Sequence, residues 1–175
     1  MALSEPTSAI IVRVPIPARV ARVRRRWDRA AAIGVPPHVT ILFPFLPPER
    51  LDPAIRRELA AIAAAQAAFE VRFASVGRFP DLLYLAPEPP DPFQVLTKAC
   101  EVRFPDFPPY GGAYDEIVPH LTVVEGDAAP IHTLLPDVEA ALPFSHVVRS
   151  LEVITPSEAG PWRVRWRLPL GRAGD

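Results

Sequence analysis

The chain alternates between short apolar runs and breaks bounded by proline. Residues 9–14 are apolar apart from Arg13 and read as a strand, closed by Pro15 and Pro17. Pro17 suits the first turn of a helix, and Val20, Val23, Trp27 and Ala30 then fall near one helical face. Gly34 can end that helix. His38 to Phe45 reads as a buried strand between Pro36-Pro37 and Pro47-Pro48. Asp52-Pro53 has the form of an N-cap followed by proline at the first helical position. The stripe Leu51, Ile55, Leu59 and Ile62 carries the predicted helix to about Ala68. Strands are expected at 69–76 and 82–86.

The pattern then starts again. Asp91-Pro92 repeats the cap signal, and a helix is expected to about Phe104. A loop rich in Pro, Tyr and Gly follows, from Pro105 to Tyr114. A strand is expected at 120–124, a helix at 131–142 despite Pro136, and strands at 144–154 and 162–168, the last after the Gly160-Pro161 turn. Each half reads strand, helix, Pro-His-aliphatic-Thr strand, helix, then a strand opening with phenylalanine (Phe69, Phe144). This implies an internal duplication with approximate halves 9–80 and 82–168, within a single two-lobed domain over residues 1–175. The fold class is α+β or α/β at this level.

Composition narrows the setting. With 175 residues, about half of them hydrophobic, the chain can bury a core without staples. The single cysteine, Cys100, rules out an internal disulfide and fits a reducing cytoplasm, where the protein is expected to act as a monomer. No apolar run approaches the ~20 residues that span a bilayer, and the polar start of the chain does not read as a leader peptide. The 24 prolines do not form a tract, so they predict many short elements with stiff connections. Net charge is −1, yet residues 1–30 hold Arg13, Arg19, Arg22, Arg24, Arg25, Arg26 and Arg29 against Glu5 and Asp28. The plain reading of Arg22, Arg25, Arg26 and Arg29 is a solvated helix face. The functional one is that Arg22, Arg25 or Arg26 attracts a nucleic-acid backbone.

Candidate chemistry lies in two matching segments, Pro37-His38-Val39-Thr40 and Pro119-His120-Leu121-Thr122, whose histidines are 82 residues apart. On a strand, residues i and i+2 share a face, so each His shares a face with its Thr. The neighbours Val39, Ile41, Leu121 and Val123 point to the other face, toward the core. Cleaving a phosphodiester needs one group to take a proton from the nucleophile and another to give one to the leaving oxygen. Imidazole titrates near pH 6.5, so one neutral and one protonated ring can coexist near neutrality. The Thr hydroxyls can donate to the non-bridging phosphate oxygens. Such a pair needs neither a metal nor a covalent enzyme intermediate.

At these residues the chain resembles the 2H phosphoesterase superfamily, in its bacterial 2′-5′ RNA ligase-like and cyclic phosphodiesterase branch. That family carries two His-x-Ser/Thr motifs on equivalent strands of two lobes flanking a groove. The resemblance extends over residues 34–45, 83–89, 109–112 and 118–122, and covers roughly residues 9 to 168. Phe43-Pro44-Phe45 departs from it, standing where better-studied members carry a Phe-Leu-Gly type segment. The resemblance implies an α+β fold of two pseudo-symmetric lobes, each a small, mainly antiparallel sheet with helices outside, with the active-site groove between them. It implies His38 and His120 as catalytic residues and Thr40 and Thr122 as phosphate-binding residues. The implied substrate is a 2′,3′-cyclic phosphate or a 2′-5′ linkage at an RNA terminus or in a small nucleotide.

Other residues are weighed against plainer readings. Tyr84 on a strand and Tyr110 in a glycine loop could each stack a base, or merely pack or anchor the loop. Phe43 and Phe45 read as core or groove lining, with core the plainer reading. Trp27, Trp162 and Trp166 read as core or lobe-interface packing, and Cys100 as core. His132 and His146 lack a Thr partner, so no catalytic role is expected of them. A zinc site built from the two motif histidines with His132 or Asp127 is a weak signal, because zinc needs three or four well-placed ligands. Two further readings remain: a binding module that captures a phosphate-bearing ligand in the same groove without turnover, and a metal-dependent hydrolase.

Overall fold

The computed structural model describes residues 7–126, 129–158 and 160–172. In chain order its elements are β1 (Ala9–Arg13), α1 (Ala18–Trp27), α2 (Arg29–Ala32), β2 (His38–Leu42), α3 (Pro53–Ala65), β3 (Phe69–Phe79), β4 (Leu82–Glu88), α4 (Asp91–Arg103), β5 (Leu121–Glu125), α5 (Ile131–Glu139), β6 (Phe144–Val148), β7 (Ser150–Ser157) and β8 (Gly160–Pro169). Two four-stranded sheets result, ordered β2-β1-β7-β8 and β5-β4-β3-β6. Every ladder between named strands is antiparallel, which decides for α+β over α/β.

β1 reads as a nearly continuous apolar run because it is central, paired with β2 on one side and β7 on the other. β2 and β5 each sit at the edge of their sheet, and these two edges lie against each other. The helices brace the opposite sheets: α1, from the β1–β2 connection, packs on β5, and α4, from the β4–β5 connection, packs on β2. One cluster of buried side chains therefore runs through both sheets, from Ile10, Val39 and Ile41 to Phe73, Leu85 and Leu121. Burying each such side chain contributes about 2 kcal/mol.

The contiguous halves 9–80 and 82–168 are not the structural lobes. β3, from the first half, joins the second sheet beside β4, and β7 and β8 return to complete the first. The run 144–154 is accordingly two strands rather than one. β6 pairs with β3, whereas β7 pairs with β1 and β8. Alternation cannot reveal this crossing, because apolar positions continue through Val148 and Leu151, both buried, while the chain changes sheets.

Helix starts follow their caps in part. The Asp52 side chain accepts from Ile55 N–H at 2.9 Å with Pro53 at the first helical position, as its sequence predicts. Asp91 instead lies inside the first turn of α4, which starts after Pro90 without a side-chain cap. The helix expected to run to Gly34 breaks at Asp28, whose carboxylate accepts from Ala30 N–H at 3.0 Å and starts α2. Pro136 is carried inside α5. No helix among the described residues is long and apolar enough to cross a membrane.

Candidate active site

Both motif strands are built alike. Along β2, His38 and Thr40 are partly exposed while Val39 and Ile41 are buried. Along β5, Thr122 is partly exposed between buried Leu121 and Val123. The alternation then fails in both strands after the threonine. The register steps from Thr40 to Leu42 against β1 and from Thr122 to Val124 against β4, leaving Ile41 and Val123 as one-residue bulges. Each bulge turns two consecutive aliphatic side chains, Ile41-Leu42 and Val123-Val124, into the core. The Ile41 carbonyl, outside that ladder, accepts from the Thr97 hydroxyl of α4 at 3.1 Å.

The histidines are oriented identically. His38 Nδ1 donates to the Pro36 carbonyl at 2.7 Å, and His120 Nδ1 donates to the Val118 carbonyl at 2.7 Å. With Nδ1–H committed to the backbone, Nε2 is the nitrogen left for proton transfer in each ring. His38, Thr40, His120 and Thr122 all line one cavity of about 790 Å³ between the sheets. Desolvation lowers the pKa of both rings. His38 falls to about 4: burial is the main cause, its bond to Pro36 opposes it, and the charges of Arg24 and His120 add to the lowering. Burial also lowers His120, against its bond to Val118.

The supports of the two rings differ. Around His120 stand three aromatic rings: Tyr84 at 5.5 Å and Phe79 at 5.7 Å edge-on, and Tyr110 stacked at 6.5 Å. Behind His38 lies a buried ion pair. Arg24 reaches Asp28 at 2.8 Å and also donates to the Val35 carbonyl at 3.1 Å and the Pro36 carbonyl at 3.3 Å. The Pro36 carbonyl is the one that receives His38. Burial pulls the Arg24 guanidinium down and pushes the Asp28 carboxyl up, and the pair's mutual attraction opposes both shifts.

Tyr110 lines the cavity. Its residue has φ +52°, and its N–H donates to the Phe43 carbonyl at 2.6 Å. Tyr84 is partly exposed, meets His120 edge-on and is not among the lining residues. Arg25 and Arg26 are exposed and also stand outside the lining, and Arg26 lies over the Trp27 ring at 5.5 Å. Of the two readings, core holds for Phe45, and groove lining for Phe43, which is 37% exposed and lines the cavity. Trp162 lines it as well. Cys100 is buried with its thiol pushed up to about 12, which fits a core residue. His132 lines a separate, smaller cavity, and Asp127 lies outside the described residues.

Sequence reasoning missed Arg24, Asp28 and Phe79. A signal existed for Arg24, four residues after Val20 on the apolar face of α1, with Asp28 four residues further. Nothing local marks Phe79, which reaches His120 only because β3 pairs with β4.

The family model of the 2'-5' RNA ligase superfamily matches residues 12–160. The chain belongs to that superfamily. Among solved structures, TT0787 of Thermus thermophilus has the same fold, with a TM-score of 0.65 and 19% identity over 96% of this chain and 100% of that one. E. coli LigT complexed with NADP+ gives 0.56 and 17% over 97% and 100%, and LigT complexed with 3'-AMP gives 0.55 and 16% over 94% and 98%. No curated protein matches the sequence significantly. For this superfamily member, the two-lobed fold implied by the His-x-Thr resemblance holds, and the cavity lies between its two sheets.

Proposed function

We propose that the protein is a metal-independent phosphodiesterase that opens 2′,3′-cyclic phosphates or cleaves 2′-5′ linkages, in nucleotides or at RNA ends. The observation that carries this reading is the matched pair of imidazoles, each holding Nδ1 on a backbone carbonyl and both lining one cavity with their threonines. Membership of the superfamily supports a phosphoesterase, and the complexes of LigT with 3'-AMP and NADP+ support nucleotide-sized ligands.

In the proposed reaction on a cyclic phosphate, neutral Nε2 of one histidine takes a proton from water as its oxygen attacks phosphorus. The protonated Nε2 of the other gives its proton to the 3′ oxygen as the P–O3′ bond breaks. The product is a 2′-phosphate, and the two rings exchange protonation states until solvent resets them. Thr40 and Thr122 hydroxyls donate to the non-bridging oxygens, where charge accumulates. The bound phosphate anion favours imidazolium, which counters the desolvation that keeps both rings neutral in the free protein.

The deciding experiment is hydrolysis of 2′,3′-cyclic nucleotides and of a short RNA ending in a cyclic phosphate, with EDTA present, resolving 2′- from 3′-phosphate. Formation of 2′-phosphate that is lost in both histidine variants is expected. A folded protein that binds these compounds without turnover would instead be a binding module, and turnover abolished by EDTA would point to a metal-dependent hydrolase.

A further inference from the structure

The two motif histidines match in everything local: strand, threonine partner, bulge, and an Nδ1–H donated to the carbonyl two residues earlier. They differ in what else holds that carbonyl. The Pro36 oxygen that accepts from His38 also accepts from Arg24 Nη2 at 3.3 Å, and both Nη atoms of Arg24 donate to the Val35 carbonyl at 3.1 Å. The Val118 carbonyl accepts from His120 and has no second donor among the described residues. Arg24 is enclosed, its side chain 6% exposed, and is also bound to Asp28 at 2.8 Å. The other titratable groups set around His38 are Arg13, opposite it in the β1–β2 ladder and held by Glu152 at 3.0 Å, and His120 from β5. Tyr110, Tyr114, Asp81, Glu116 and Glu125 line the same cavity.

A carbonyl oxygen has two lone pairs, so Pro36 can serve both donors. Guanidinium bonds to two successive carbonyls fix residues Val35 and Pro36, and the ring that hangs on Pro36 inherits that orientation, as outer partners orient the histidines of metal sites. A positive charge on the shared oxygen weakens it as an acceptor for imidazolium and opposes a second positive charge beside it. A buried ion pair seldom adds net stability over apolar residues of the same size, so stability alone is a weak reason for this one. We propose that Arg24 is a positioning residue: by anchoring the Pro36 carbonyl it sets the aim of His38 Nε2 and makes His38 unequal to His120. This rests on the two-histidine reading and deepens it. The inequality has a definite direction. Burial is the main cause that takes His38 down to about 4, and Arg24 adds to it, whereas burial lowers His120 with no arginine contributing.

The test follows the titration of both rings by NMR in the free protein, and kcat and KM on a nucleoside 2′,3′-cyclic monophosphate. In the wild type, His38 is expected to stay neutral to a lower pH than His120, and a common midpoint would overturn the inference whatever the variants do. Arg24→Met combined with Asp28→Asn removes the pair without leaving an unpaired buried charge and keeps a cap for α2. In that variant the His38 titration is expected to move up toward its ordinary 6.5 while that of His120 stays, with kcat down about 10- to 100-fold and KM little changed. Arg24→Lys retains the charge beside Pro36, so it is expected to keep His38 low and to recover part of that kcat, its ammonium lacking the planar fork. A folded double variant with wild-type titrations and kcat, or one in which both rings move together, would show that the pair only supports the fold. The titrations need no turnover. An inactive protein whose His38 still answers to Arg24 removes the catalytic reading alone, and a His38 that ignores Arg24 overturns the inference even in an active enzyme.

Discussion

Tyr84 lies across Gly77, its partner in the β3–β4 ladder, so closely that a Cβ on Gly77 would run into the phenol ring. The same ring stacks on Phe79 at 4.7 Å and meets the edge of His120. Gly77→Ala is therefore expected to displace Tyr84 and loosen His120. The expected loss in kcat is about 10- to 100-fold, because small misplacements of a reacting group are costly. Overpacking adds a stability loss of about 1–3 kcal/mol. Steady-state kinetics beside urea unfolding checks this, and a stability loss with unchanged kcat would refute the supporting role of Tyr84.

His38→Ala and His120→Ala are each expected to lower kcat by several orders of magnitude while leaving a folded protein, since both rings face a cavity rather than the core. Thr40→Val and Thr122→Val remove single donors to the phosphate, for which losses of about 100- to 1,000-fold are expected. Rates on a cyclic nucleotide, with circular dichroism as the folding control, decide. Near-normal turnover in either histidine variant would end the two-histidine assignment.

The pH dependence follows from the direction of the shifts. His38 titrates at about 4 in the native state against 6.5 in the unfolded chain. Between those values the unfolded state binds a proton that the native state refuses, so His38 contributes stability above pH 6.5 that is lost as pH falls toward 4. The urea midpoint of the wild type is expected to drop over that window more steeply than that of His38→Asn. Equal slopes would contradict a desolvated His38.

Catalysis should show the same lowering in the free protein. The ring that acts as base stays neutral to low pH, but the ring that acts as acid loses its proton below pH 6.5. The kcat/KM profile is expected to peak below about pH 6.5 and decline above it, with the kcat profile displaced upward because bound phosphate favours imidazolium. A kcat/KM profile flat from about pH 6 to about 9 would exclude an imidazolium acid.

Arg24→Met leaves Asp28, whose side chain is 2% exposed, as a buried carboxylate without its partner. It also strips donors from the Val35 and Pro36 carbonyls. The expected cost is about 3–5 kcal/mol, less in a double variant that also replaces Asp28 with leucine. Urea unfolding measures both, and a loss under about 1 kcal/mol for Arg24→Met would show that the pair is dispensable.

The doubled motif was legible in sequence because its signal is local. A period of two puts His38 with Thr40 and His120 with Thr122 on one face, and the flanking prolines and aliphatic residues mark the strands. The Asp52 cap and the apolar stripe of α3 were legible for the same reason. Sheet membership was not. Whether β3 joins β2 or β4, and whether residues 144–154 stay in one sheet, depends on hydrogen bonds between segments far apart in the chain. The aromatic surround of His120 arises from the same long-range contacts, whereas the Arg24–Asp28 pair is local, four residues apart along the chain. The residue types and spacing that bring proton transfer to a phosphate were thus written along the chain. Packing decided which of these residues meet around one cavity and what surrounds His120.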